Sequence, residues 1–158
     1  MVSNGVSDND WHHYLWMIDM DDQDKCKVYI DGVDATFSFL TFVSGATLGH
    51  SLYDYTMVGA QTNFSGTASS SLLLNAEIAD LWLGFGQWID VTDASFRARF
   101  RSAAGCPVSL GQRGVTPTGI APQIYLSGGI PGWAKNLGSG GQFNVSAVLP
   151  AQNGRVPC

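Results

Sequence analysis

Two short stretches constrain this chain more than anything else in it: Trp11-His12-His13-Tyr14-Leu15-Trp16-Met17-Ile18-Asp19 and Lys27-Val28-Tyr29-Ile30-Asp31-Gly32. Apolar and polar residues roughly alternate in both, and β-branched and aromatic side chains are frequent, which is the pattern of half-buried strands. Asp21-Asp22-Gln23-Asp24 between them supplies a polar turn, so the pair reads as an antiparallel hairpin. The closing Asp31-Gly32 reads as a second turn, because glycine takes positive φ at no steric cost.

Composition agrees with a turn-rich β protein. Only 13% of the 158 residues are charged and 19 are glycine, against about 25% charged in an average domain. A chain of this length fits one domain with a real core. Its net charge of −5 offers no basic footprint for a phosphate backbone, so nucleic acid is not an expected partner. Arg97, Arg99 and Arg101 read as the wet side of a short helix. No apolar run is long enough for a membrane helix, and the amino terminus lacks the basic flank and apolar run of a secretory signal. Cys26, Cys106 and Cys158 show no C-x-x-C spacing and read as free thiols.

Further strands are expected over 36–43, which holds Phe37, Phe39 and Phe42, over 53–59 and over 72–85. Residues 61–71 carry Asn63, Gly66 and several serines without periodicity and read as a surface loop. Thr92-Asp93 opens a predicted helix running to about residue 103, with Thr92 as cap and Phe96 and Phe100 sharing one face. Gly105 and Pro107 end it. Glycine, proline and serine then punctuate the chain, leaving strands near 123–127 and 143–149.

The strand W-H-H-φ, a short turn and a strand φ-Y-φ-D-G resemble the laminin-G-like branch of the concanavalin A-like jelly rolls. Tyr55-Thr56-Met57-Val58-Gly59-Ala60 is similar to the φ-x-φ-G strand that follows in that family. Asn75-Ala76-Glu77-Ile78-Ala79-Asp80-Leu81-Trp82-Leu83 is similar to its G-x-I-x-D-φ-x-φ strand, with Ala76 where glycine is usual. The resemblance covers residues 11–102, the second half of the usual domain. It implies an all-β antiparallel jelly-roll sandwich, incomplete, with one short helix. Residues 1–105 would form the module, and 106–158 an irregular extension packing on it or on a neighbour. The stretch 106–128 resembles an extension that follows such modules in tailed-phage virion proteins.

In that family several strands precede the W-H-H strand, whereas ten residues precede Trp11 here. A lone sheet cannot bury its inner face without a second layer about 10 Å away. The expectation is therefore an apolar assembly face of Tyr14, Trp16, Ile18, Phe37, Phe39 and Trp82, covered by other subunits, with homo-oligomers and exposed strand edges used for pairing.

Three chemistries compete with this scaffold reading. Glycoside cleavage needs paired carboxylates, but Glu77 is the only glutamate, and Glu77 and Asp80 fall on opposite sides of a strand. No nucleophile elbow surrounds Ser51, His50 or His13. No catalytic residue is assigned, and the chain is expected not to be an enzyme. Calcium, which the resemblance implies at the sandwich rim, would draw on Asp19, Asp21, Asp22 and Asp24. Glycan binding would use the aromatics least needed by a core, Trp88 and Trp133, with Tyr53, Tyr55 and Asn63 as a second cluster. The functional expectation is a structural or adhesive virion component, a capsid decoration or tail-fibre-associated protein on a particle or extracellular surface. A free carbohydrate-binding domain and a glycan-degrading enzyme are the alternatives.

Overall fold

The computed structural model describes residues 10–36, 44–45, 60–62, 68–73, 77–129 and 132–143. Among them the chain is all-β in character, with short strands in three antiparallel sheets, one short α-helix and two 3₁₀ turns.

The first sheet is the expected hairpin plus one strand. β1 (Tyr14–Met17) pairs with β2 (Lys27–Ile30), with Tyr14 opposite Ile30 and Trp16 opposite Val28. β3 (Val33–Asp34) adds to the far side of β2. Asp31 and Gly32, which join β2 to β3, have φ of 53° and 82°. Positive φ at both central residues makes this a type I′ turn, whose twist matches that of its flanking strands. The acidic stretch closes the other end as a 3₁₀ turn, Gln23–Lys25, with the Asp22 carboxylate accepting from the Asp24 N–H. Cys26 is a buried free thiol beneath this turn, donating to the Asp19 carbonyl at 3.2 Å.

Alternation along β1 sends Leu15 and Met17 inward and Tyr14 and Trp16 outward. The inward pair and Tyr29 join Ile89, Val91, Phe100, Leu110 and Tyr125 in one core cluster, flanked by Trp82, Phe96, Val108 and Leu137. The cluster draws on both sides of residue 105, so the C-terminal stretch covers the inner face of the hairpin. Trp82, expected on the assembly face, is instead half-buried against this core. Its Nε1 donates to the Gly114 carbonyl at 2.8 Å, and its ring meets Phe100 edge-on with centroids 5.4 Å apart. Gly84 admits the indole: a Cβ there would lie 2.6 Å from the Trp82 ring. Phe37 and Phe39 of the same expected face lie outside the described residues, as do the strands expected over 53–59 and 143–149 in most or all of their length.

β6 (Leu81–Leu83) pairs with β7 (Ile124–Leu126), fastening residues beyond 106 to the rest of the fold. Asn136, 3% exposed, locks this junction. Its Oδ1 accepts from the N–H groups of Tyr125 and Gly138, and its Nδ2 donates to the carbonyls of Gln123 and Gly141. Every polar atom of that amide is satisfied, which is what makes its burial tolerable.

Three expectations are corrected. The segment 61–71 is not wholly a loop: β4 (Ala60–Thr62) and β5 (Ala68–Leu73) form an antiparallel pair with a register shift. A serine-rich strand carries little intrinsic propensity, so the pairing partner decides. The helix is only α1 (Ala94–Arg97), capped by Asp93 rather than Thr92, whose hydroxyl bonds to Asp90. It stops because the chain tightens into i→i+3 turns at Arg99 and Phe100 and then reverses, with Ser102 donating to Cys106 and Arg101 bridging Pro107. Cys106 is disulfide-bonded, not a free thiol.

Candidate functional site

The three arginines do not make a common wet face. Arg97 reaches the Val91 and Thr92 carbonyls and lies over the Tyr29 ring, 4.5 Å from its centroid. Arg99 holds the Pro117 carbonyl and lies over Phe96. Arg101 turns toward Asp31, Nη2 to Oδ1 at 3.9 Å. Each guanidinium pins a different piece of backbone or carboxylate, the work for which its planar donor fork is suited.

Asp31 is the centre of a polar clasp that closes the open end of the hairpin. One carboxylate oxygen lies 2.7 Å from His12 Nδ1 and the other accepts from the His13 backbone N–H at 3.0 Å. Burial pushes the Asp31 carboxyl up. The hydrogen bonds from His12 and the His13 amide, with the charges of His12 and Arg101, outweigh it and hold the group below the usual carboxylate range. His13 is lowered from the ordinary imidazole value by burial and then by Arg101, against the opposing pull of Asp31. Both histidines are thus half-buried parts of the fold. In the sequence Asp31 reads only as a turn residue; hairpin register, which sets it opposite His13, is the signal that pairs it with the W-H-H strand.

At the opposite end, two of the four expected calcium ligands, Asp19 and Asp22, are engaged within the turn. Asp19 Oδ1 accepts from the Asp21 N–H, and Asp22 caps the 3₁₀ turn. Lys25 Nζ stands between two of the acids, 3.2 Å from Asp22 and 3.6 Å from Asp19. The hydrogen bond from Lys25 is the main reason the Asp22 carboxyl is lowered, and the same bond raises Lys25. Among the described residues no group of three or more His, Cys, Asp or Glu side chains is arranged to hold a metal ion.

What the sequence does not reveal is that Trp88 comes to this same corner. Its ring is 53% exposed, and Lys25 Nζ lies 5.3 Å from its centroid. Gln87 next to it bonds to the Thr118 hydroxyl and the Ala121 carbonyl. An exposed indole beside fixed charged groups can stack on an apolar sugar face or a cation. Trp133 is a different case: half-buried, with its Nε1 donating to the Ala79 carbonyl. It serves packing. Tyr53, Tyr55 and Asn63 lie outside the described residues. Glu77 and Asp80 are exposed in the approach to β6.

The outer face of the first sheet exposes several large apolar side chains. Tyr14, Trp16 and Ile18 are about half exposed, and Val33, which sequence reasoning passed over, is 70% exposed. Tyr14 faces Ile30 across the β1/β2 pair, and Ile30 faces Val33 across β2/β3. The face therefore runs unbroken over all three strands.

Comparison of the chain with protein-family models, with curated proteins and with solved structures finds no match. Any functional reading rests on the residues themselves.

Proposed function

We propose that this chain is a non-enzymatic assembly and surface-binding module, a jelly-roll of the laminin-G-like kind working as one subunit of a larger particle. The observation that carries the reading is the outer sheet face of Tyr14, Trp16, Ile18 and Val33. A contiguous apolar face of this kind on a domain that already packs its other face is what marks association surfaces. The particle we propose is a tailed-phage virion, with the chain as a capsid decoration or tail-fibre-associated protein. Support for that placement is the likeness of the stretch 106–128 to the extension that follows laminin-G-like modules in such proteins.

Structural roles for the histidines, and the exposed, ordinary setting of Glu77 and Asp80 support a binding role over catalysis. Among the described residues no helix is long and apolar enough to cross a membrane. The Trp88–Lys25 corner gives the module an outward site for cell-surface glycan, and weak single-site affinity would suffice where many copies act together.

Light scattering of the purified chain tests the assembly reading. The expected result is a mass above that of the monomer that falls on dilution, and that Trp16→Ser lowers while the circular dichroism spectrum stays unchanged. A strictly monomeric wild type contradicts it. Glycan binding is checked by the loss of sugar-array signal in Trp88→Ala, with Trp133→Phe as the packing control.

A further inference from the structure

The backbone of β1 carries a second piece of information that its side chains do not. Asp31 N–H donates to the His13 carbonyl at 2.9 Å, which fixes the hydrogen-bonding parity of the hairpin. Val28, opposite Trp16, gives both of its backbone groups to the other side: its carbonyl accepts from Ala35 at 2.8 Å and its N–H donates to the Thr36 hydroxyl at 3.1 Å. Leu15 and Met17 therefore direct their N–H and C=O groups toward β2, and Tyr14 and Trp16 direct theirs away from it. β1 is an edge of its sheet among the described residues. The outward backbone groups and the exposed aromatic side chains belong to the same two residues.

Natural edges are blunted by lysine, proline or a bulge. Tyr14–Met17 has none of these, and no Asp, Glu, Lys or Arg occurs from Trp11 to Ile18. The geometry points to a second copy of this chain as the occupant: an antiparallel pairing of β1 with β1 of the second copy, centred on Leu15. This deepens the assembly reading above and rests on it. In that register Tyr14 stands opposite Trp16 of the second copy, so each outward pair of N–H and C=O groups meets its complement. The aromatic rings also become cross-strand neighbours, a stabilising arrangement. Flanking acids avoid one another, because Asp19 falls opposite Trp11 and Asp10 opposite Met20 of the second copy. The register is self-complementary, so each copy supplies both the outward backbone groups and the aromatic rings that the other receives. Each copy carries −5, so long-range repulsion opposes the pairing and salt, which shortens the Debye length to about 10 Å at 0.1 M, tightens it.

Two variants test the register with the full chain. In the proposed seam Tyr14 and Trp16 of the second copy have Cα atoms about 5.5 Å apart, within disulfide range. Equivalent residues of the two copies stand roughly 8–9 Å apart, out of range. Tyr14→Cys and Trp16→Cys proteins, oxidised separately, are expected to stay uncross-linked, and an equimolar mixture to give the covalent dimer. Tyr14→Pro removes an outward N–H at the first strand position, where proline is tolerated. It is expected to raise the dimer dissociation constant at least about tenfold in sedimentation velocity. If the mixture fails to cross-link at concentrations where wild type is dimeric, the seam is wrong while association through the apolar face stands. If Tyr14→Pro dimerises as wild type does, the seam is equally wrong. A wild type that sediments as a monomer up to roughly 100 µM overturns both readings.

Discussion

The two faces of the β1–β2–β3 sheet are built from the same kinds of residue and meet opposite fates. Leu15, Met17 and Tyr29 are each under 10% exposed, whereas Tyr14, Trp16 and Val33 stand between 48% and 70%; Val28, opposite Trp16, is the one buried exception among these outer positions at 7%. Hydrophobicity does not separate them. What does is the supply of a covering layer: residues 89–126 bring Val91, Phe100, Leu110 and Tyr125 onto one face, and the described residues bring no equivalent to the other. A face becomes core when the chain can reach it, and a docking surface when it cannot.

The largest effect that would break this contrast comes from the inner face. Phe100→Ala opens a cavity beneath the hairpin and should cost about 3–5 kcal/mol, a fall in Tm of roughly 10 °C. A thermal melt within a degree or two of wild type would mean that the inner face is not the core. Asn136→Ala removes the acceptor of the buried Tyr125 N–H and should cost about 2–3 kcal/mol in urea titration. It probes the junction that keeps the covering layer in place.

Acid sharpens the contrast at the clasp. The folded-state value of Asp31 is lowered, so its contribution is complete above the ordinary carboxyl range and is lost as pH falls through its folded value. His13 is also lowered; a base that must stay neutral when folded favours unfolding as protons are taken up below about pH 6.5. Both signs agree. Stability should decline below about pH 6.5 and fall further toward pH 3, with Asp31→Asn removing part of the last step, which Asp22, Asp34 and Asp90, also lowered, share. Unfolding midpoints measured across that range check it.

Smaller effects belong to the outer side. Trp16→Ser should change the unfolding free energy of the monomer by no more than about 0.5 kcal/mol, since the side chain is 59% exposed; a loss comparable to that of Phe100→Ala would erase the distinction between the faces. Calcium or EDTA at millimolar concentration should move Tm by less than about 1 °C, since among the described residues no group of three or more His, Cys, Asp or Glu side chains is placed to hold a metal ion.

The sequence made the hairpin legible, since period-two alternation and the Asp31-Gly32 turn are local signals that need no tertiary information. It could not say which face of that hairpin points inward, because both are apolar and the deciding residues lie more than 50 positions away. Trp82 shows the same limit: alone it reads as an exposed aromatic, and only Gly84, Phe100 and Gly114 together make it part of the core. β5 hides behind serines whose strand state comes from its partner, and α1 is cut short by a chain reversal that Phe96 and Phe100 spacing does not reveal. Of the expected sites, Trp88 and the aspartates of the hairpin turn were visible one by one. Their meeting through Lys25 was not, because nothing in sequence links positions 25 and 88.

Residue-resolved amide exchange along β1 tests the central claim most directly. In dilute protein the amides of Leu15 and Met17 should be protected and those of Tyr14 and Trp16 should exchange freely, with the alternation disappearing as concentration rises and β1 acquires its partner. Protection of Tyr14 and Trp16 that is already full in the dilute monomer would show that the chain covers this edge itself, and the account would fail.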